Sequence, residues 1–238
     1  VEPKIYYIIG KSMVIQIMKS LTDADKATGL AVVIDVFRAF TTEAYIFANG
    51  ASKIIPIESL EGAYELKKEY PDYILVGERH GLKPDGFDFG NSPTEILNID
   101  FSGKTVIHTT SNGTKGLANA TNASTVLAGS FVVADSIIKY IKNNNFQDVS
   151  LVSTAPVTEN DNEDILLAYY IRDVLNGSRV NELDIKNKLT KTSVYSFLLK
   201  EAGVPQTDID LCLDFHRFDF VIKKAVENNQ IYLKKEEV

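Results

Sequence analysis

The sequence is poor in cysteine and histidine, with one of the first and three of the second among 238 residues. A single cysteine, Cys212, excludes an intrachain disulfide and fits a reducing, cytoplasmic setting. His80, His108 and His216 show no HxH or HExxH spacing, which speaks against a zinc site. No apolar run approaches the roughly 18 residues that suggest a membrane span. The opening Val1-Glu2-Pro3-Lys4 lacks the basic start of a signal peptide. Basic residues are also short, with 25 Lys+Arg against 32 Asp+Glu and a formal net charge of −7. That balance argues against nucleic acid or an anionic membrane as the partner, because both reward basic surface. If such a protein takes an anionic ligand, it has to neutralise it locally with a cation, a few arginines or helix N-termini.

What is present is ordinary globular composition, 45% hydrophobic and 24% charged. The length suits one large domain of 1–238, with a division into two lobes (about 1–150 and 151–238) left open. There is no internal repeat and no low-complexity tract. Ile5 to Ile9 and Met13 to Met18, separated by Gly10-Lys11-Ser12, read as a hairpin. Strands are expected at Ala31 to Val36, Lys53 to Ile57, Tyr73 to Val76, Thr105 to His108, Thr125 to Ala128, Val149 to Val152 and Gln230 to Leu233. Helices are expected from Ala39 to Asn49 with Gly50 as C-cap, and from a Ser59 cap to Tyr70, stopped by Pro71. Others follow Thr114, run over Ile137 to Lys142 from an Asp135 cap, and run from Glu163 to Leu175 before Gly177. The alternation predicts an α/β protein, three-layered α/β/α, with a mixed but largely parallel sheet. Ligands of open α/β sheets sit at the carboxyl ends of strands. Here those ends are Asp35 to Arg38, Gly77 to Arg79, Thr109 to Thr114, Gly129-Ser130 and Ser153 to Asp164.

Asp35 closes an apolar strand, where a carboxylate is costly unless it meets a cation or hydrogen-bond donors. It reads as a metal ligand or nucleophile, with a helix N-cap as the alternative. Arg38 stands at a helix start, where a cation opposes the macrodipole. An anionic ligand, or an ion pair with Asp35, would account for it. The loop Gly77 to Pro93 packs four glycines among acids, bases and amides. Glu78 and Asp88 are oxygen ligands suited to Mg²⁺, and Arg79 offers a planar fork for phosphate or sulfonate. Thr109-Thr110-Ser111-Asn112-Gly113-Thr114 reads as an anion-binding turn or as a simple N-cap, and it lacks the Walker spacing. Glu163-Asp164 opens a helix, where acids serve the macrodipole or a metal. His80 reads equally as a general acid or a surface residue, and His108 as a core residue. Cys212 and Arg217 are spaced C-x4-R rather than as a cysteine-phosphatase pair, so Cys212 reads as structural. Asp208-Ile209-Asp210 has the D-x-D spacing of dehalogenase-type phosphatases but no apolar strand before it.

Taken together, Asp35-Val36-Phe37-Arg38-Ala39, Ala48-Asn49-Gly50-Ala51, Gly77-Glu78-Arg79, Gly86-Phe87-Asp88-Phe89-Gly90-Asn91-Ser92-Pro93, Thr109 to Thr114, Gly129-Ser130-Phe131 and Glu163-Asp164 resemble the 2-phosphosulfolactate phosphatases. His80 and the Ser153-Thr154-Ala155-Pro156 stretch depart from the usual pattern. The resemblance implies Mg²⁺-dependent hydrolysis of 2-phospho-3-sulfolactate to 3-sulfolactate and phosphate, a step toward coenzyme M. On that reading Asp35, Glu78 and Glu163 or Asp164 hold the metal, and Asp35, Arg38 and Arg79 are catalytic. Arg38, Arg79, Asn91, Ser92, Thr110, Ser111, Asn112, Gly113 and Thr114 contact a small anionic phosphoester. Water is the expected nucleophile, and Asp35 forming an aspartyl-phosphate is the rival. A non-catalytic module for small anions is the reading from another class. A homodimer is compatible with the sequence.

Overall fold

The computed structural model of the protein describes residues 6–9, 13–156 and 162–238. The chain opens with β1 (Tyr6–Ile9) and β2 (Met13–Met18), and a 3₁₀ turn leads to β3 (Leu30–Ile34). Next come α1 (Ala39–Ala48), β4 (Lys53–Pro56), α2 (Leu60–Glu69) and β5 (Ile74–Gly77). A long loop contains the one-turn α3 (Pro93–Ile96) and leads to β6 (Thr105–Thr109), α4 (Gly113–Asn119), β7 (Thr125–Gly129) and α5 (Ala134–Asn143). The chain ends with β8 (Asp148–Ser153), the four helices α6 (Glu163–Leu175), α7 (Glu182–Leu189), α8 (Ser193–Lys200) and α9 (Gln206–Cys212), and the strands β9 (Phe220–Glu227) and β10 (Gln230–Glu237).

The ten strands form one sheet in the order β1-β2-β8-β3-β7-β9-β10-β4-β6-β5. β2, β8, β3 and β7 are mutually parallel, and β4, β6 and β5 form a second parallel block. The β9–β10 hairpin is antiparallel to both blocks and joins them. This is the α/β architecture with a mixed, mostly parallel sheet that the sequence predicts. Every residue of β3 is buried, as a central strand covered on both faces requires. One hydrophobic core runs from Ile15 to Leu233 and draws on strands and helices from both halves of the chain.

Local chemistry accounts for most element ends. Ser59 Oγ accepts from the Gly62 N–H at 3.0 Å and caps α2. Asn162 Oδ1 accepts from the Ile165 N–H at 2.9 Å and caps α6. Two expectations shift. Asp135 is not a cap but lies in the first turn of α5, with Val133 at the cap position, so it serves the helix dipole instead. β1 and β2 do pair antiparallel, while the Gly10-Lys11-Ser12 turn lies outside the described residues.

Register places the site. Ile34 stands opposite both Gly129 and Ser153, so Asp35, Ser130 and Thr154 leave the sheet at one level. Gly77 stands opposite Thr109, which brings Glu78 level with Thr110. A Cβ on Gly77 would lie 2.1 Å from the Thr109 carbonyl oxygen, so only glycine lets these two strand ends close together.

Candidate active site

Above the carboxyl ends of β3, β5, β6 and β8 lies a cavity of about 630 Å³. Asp35, Arg38, Glu78, Asn91, Thr110, Ser111, Asn112, Glu163 and Asp164 all line it. Thirteen residues of the sequence reading were assigned to the site, and nine of them meet here from segments far apart in the chain.

The floor is a pair of carboxyls. Asp164 Oδ1 accepts from the Val36 N–H at 2.9 Å, and its Oδ2 accepts from the Thr154 and Ala155 N–H groups, each at 3.0 Å. Asp164 thereby ties the loops after β3 and β8 to the first turn of α6. Asp35 Oδ1 accepts from the Ala39 N–H at 3.2 Å. Gly113 lets α4 approach, because a Cβ there would lie 2.9 Å from Asp35 Oδ2. Burial, then the neighbouring Asp164 charge, push the Asp35 carboxyl up from 3.8 to about 8. Burial pushes Asp164 up to about 6, against the lowering effect of its backbone N–H donors. Two carboxyls this close resist ionising together unless a cation or a shared proton joins them.

Glu78 has a different task. Its Oε1 accepts from the Ser111 N–H at 2.6 Å, and its Oε2 accepts from the Gly81 N–H at 2.8 Å and the Ser111 hydroxyl at 3.2 Å. The Ser111 groups expected to hold substrate are thus directed to Glu78, which organises the turn after β6. Thr114 donates its N–H to Thr110 Oγ1 at 3.2 Å and its hydroxyl to the Thr110 carbonyl at 3.1 Å, which fastens the first turn of α4 to the end of β6, and Thr114 does not line the cavity. Asn91 lines it, and its buried Oδ1 has no hydrogen-bond partner among the described residues.

Arg38 lines the cavity but pairs with a different acid from the expected Asp35. Its Nη1 donates to Asp208 Oδ2 at 2.5 Å, and both side chains are buried. Asp208 Oδ1 accepts from the Ser92 hydroxyl at 2.7 Å and the Thr94 N–H at 3.0 Å. Ser92 therefore supports Arg38 indirectly rather than facing the cavity. Sequence reasoning weighed Asp208 only against the dehalogenase-type pattern, while its role is set by a contact 170 residues away. Its only local signal is the D-x-D spacing in α9.

Arg79 lies outside the cavity lining. Its guanidinium donates to the Glu58 and Glu78 carbonyls and to Thr109 Oγ1, which pins the loop to the strand ends. Asp88 also lies outside, where its Oδ2 accepts from the Leu75 N–H at 2.8 Å and fastens the loop to β5. His108 is fully buried and shares a 2.8 Å hydrogen bond with Glu43, away from the cavity. The Gly129-Ser130 strand end is level with Asp35 but does not line the cavity. Of the polar loop before α6, residues 157–161 lie outside the described residues.

Among the described residues, no three carboxylate, imidazole or thiolate groups form a ready-made metal cage. Mg²⁺ does not require one, since it keeps much of its water and is usually held by one or two carboxylates plus substrate phosphate. The Asp35–Asp164 pair, the nearby Glu163 and the orphaned Asn91 oxygen are all hard donors. The site fits Mg²⁺ on that chemistry.

A family model for 2-phosphosulpholactate phosphatase matches residues 16–226. The chain belongs to this family. A protein of Caldicellulosiruptor saccharolyticus named probable 2-phosphosulfolactate phosphatase is 39% identical over 223 residues, covering 85% of this chain and 90% of that protein. One of the same name from Carboxydothermus hydrogenoformans is 39% identical over 182 residues, covering 76% of this chain and 71% of that one. Another from Bacillus subtilis is 31% identical over 209 residues, covering 86% and 89%. The 2-phosphosulpholactate phosphatase family gives the chain its class, an enzyme hydrolysing phosphoric monoesters. No helix among the described residues is long and apolar enough to cross a membrane.

Two predictions follow from the geometry. Raised carboxyl pKa values mean that the folded protein binds protons more tightly than the unfolded chain. The metal-free protein therefore loses stability from this pair as pH rises from about 4 to about 8. Asp35→Asn should flatten that slope and be the more stable form at pH 8, by urea denaturation in a chelator. An unchanged slope would contradict the account. Asp208→Ala leaves Arg38 buried without a partner and should cost about 3–5 kcal/mol. A loss below about 1 kcal/mol in the same assay would show the pair to be incidental.

Proposed function

We propose that this chain is a Mg²⁺-dependent phosphatase of 2-phospho-hydroxy acids, the class that includes 2-phospho-3-sulfolactate, and that it acts as a soluble, cytoplasmic enzyme. Family membership supports the reaction type. The observation that carries the metal dependence is the buried Asp35–Asp164 pair at the floor of the cavity. A divalent cation between the two carboxyls would offset their charge, which a single shared proton does only in part, and so let an anionic ester approach. With 2-phospho-3-sulfolactate the products would be 3-sulfolactate and phosphate, the coenzyme M type of step.

Asp35 and Asp164 would hold the ion, with Glu163 beside them, and when bound it would offset the charge on the phosphoryl oxygens. Asp164 needs no other support, since three backbone N–H groups already fix it. Arg38, kept in place by Asp208, supplies the positive charge on the other side of the phosphoryl group. Its planar fork suits the phosphate or the adjoining carboxylate. Asn91 and Asn112 offer amide contacts that orient the ester. Glu78 and Arg79 act one step back, by fixing the turns that carry Ser111, Asn112 and His80. The oxygen of water bonds to phosphorus while the bond to the ester oxygen breaks, and the leaving oxygen takes up a proton. Attack by Asp35 itself is the competing route.

Chelation should abolish phosphate release and Mg²⁺ should restore it, while Asp35→Asn should lower turnover by at least about a hundredfold in a folded protein. Full activity after exhaustive chelation would overturn the metal reading. Acid quench of a reaction with ³²P-labelled ester separates the two routes. Water attack leaves no label on the protein, and label retained on Asp35 would establish the aspartyl-phosphate.

A further inference from the structure

The loop after β5 turns back on itself beside the cavity. The Arg79 N–H donates to the Leu82 carbonyl at 2.9 Å, and the Leu82 N–H donates to the Arg79 carbonyl at 3.1 Å. Between them His80 and Gly81 have φ of +54° and +80°. Positive φ at both central residues is the two-residue hairpin geometry that favours Asn-Gly. Glycine adopts it freely, whereas histidine does so at a cost. The Gly81 N–H is held by Glu78 Oε2 at 2.8 Å, and the Arg79 guanidinium is fastened to the Glu58 and Glu78 carbonyls and Thr109. The turn is thereby fixed to the strand ends, and it carries His80 into the lining of the cavity.

His80 gains nothing for the fold in return. Its side chain is exposed, and no described residue gives its ring a hydrogen bond or an ion pair. The other two histidines are both engaged, His108 with Glu43 and His216 with Tyr170 and Glu182. A backbone held in an unfavourable region without a packing contact to show for it points to a task for the side chain. The cavity has such a task. A 2-phospho-hydroxy acid carries a phosphate, a carboxylate and one further substituent on a tetrahedral carbon. With the phosphate and carboxylate served by a cation on the floor and by Arg38, the third arm is directed to the mouth. His80, Gly81 and Leu82 line the exposed edge of the cavity, as do Phe197, Leu198 and Glu201. Of those six, only His80 has a side chain that donates a hydrogen bond. The Ser111 and Thr154 hydroxyls are already directed to Glu78 and Asp164.

We propose that His80 is the residue that recognises the sulfonate of 2-phospho-3-sulfolactate, by donating its imidazole N–H to a sulfonate oxygen. The proposal rests on the phosphatase reading above and names the group that reads the third substituent. An imidazole carries at least one N–H whether neutral or charged, so the bond does not depend on the ring's protonation state. Leu82 and Phe197, which line the same edge, limit the water that competes for that bond. Glu201 repels an anion there, so the His80 donor is what makes a sulfonate acceptable at the mouth.

The test measures kcat/KM of the Mg²⁺-loaded full chain on the phosphate esters of 3-sulfolactate and lactate, which differ in the sulfonate. His80→Gly suits the turn better than histidine does, so the variant keeps the fold and loses the imidazole. The ratio of the sulfolactate ester to the lactate ester should fall about tenfold, the loss expected for one hydrogen bond to a charged group. His80→Asn, which keeps both the turn and an N–H donor, should recover part of that ratio. An unchanged ratio in His80→Gly, or an equal fall on both esters, would overturn the assignment while the phosphatase reading stands. If the unaltered chain releases phosphate from neither ester, the phosphatase reading fails and this proposal fails with it.

Discussion

Two carboxyls held side by side at the end of the central strands are the constraint around which the rest of this molecule is arranged. Asp35 leaves β3 and Asp164 opens α6, and the sheet register brings the loops after β3 and β8 to one level. Three backbone N–H groups hold Asp164 in place. Gly113 gives Asp35 its space, since any side chain there would press on the carboxylate. Neither acid gains much for folding by sitting there, because burial disfavours its charged form. Such an arrangement costs stability, as groups placed for function rather than for folding do.

The surroundings consist of polar clamps, each joining chain segments that are distant in sequence. Glu78 links the ends of β5 and β6 by gripping Ser111 and Gly81. Asp208 joins α9, the start of α3 and Arg38 through three hydrogen bonds. Arg79 spends its guanidinium on main-chain carbonyls and Thr109. The result is a cavity with a polar, ion-paired floor beside the apolar side chains of α8.

Much of this was legible in the sequence, for physical reasons that can be named. Apolar runs bounded by capping residues gave β3, β4, α2 and α6 almost residue by residue, because burial and cap chemistry are local signals. Acids and amides at strand ends pointed to Asp35, Asn112 and Asp164, because the α/β fold gathers its strand ends at one edge. The register of a side chain's partners is not a local signal. Arg79 and Arg38 look alike in sequence, yet one faces the cavity and the other the loop behind it. Asp208 is defined only by what it meets across the fold. The strand β9 was missed for another reason. Its turn, Asn228-Asn229, adopts positive φ at both residues, as a two-residue hairpin needs, but the adjacent lysines Lys223-Lys224 in β9 break the apolar pattern.

The central claim is that Asp35 and Asp164 together form a cation site that is protonated when empty. Calorimetric titration of Mg²⁺ into the metal-free protein near pH 7, in two buffers of different ionisation enthalpy, measures this directly. The account predicts saturable binding that releases about one proton per ion, with both the binding and the proton release lost in Asp35→Asn. Binding without proton release, or equal affinity in that variant, would contradict it.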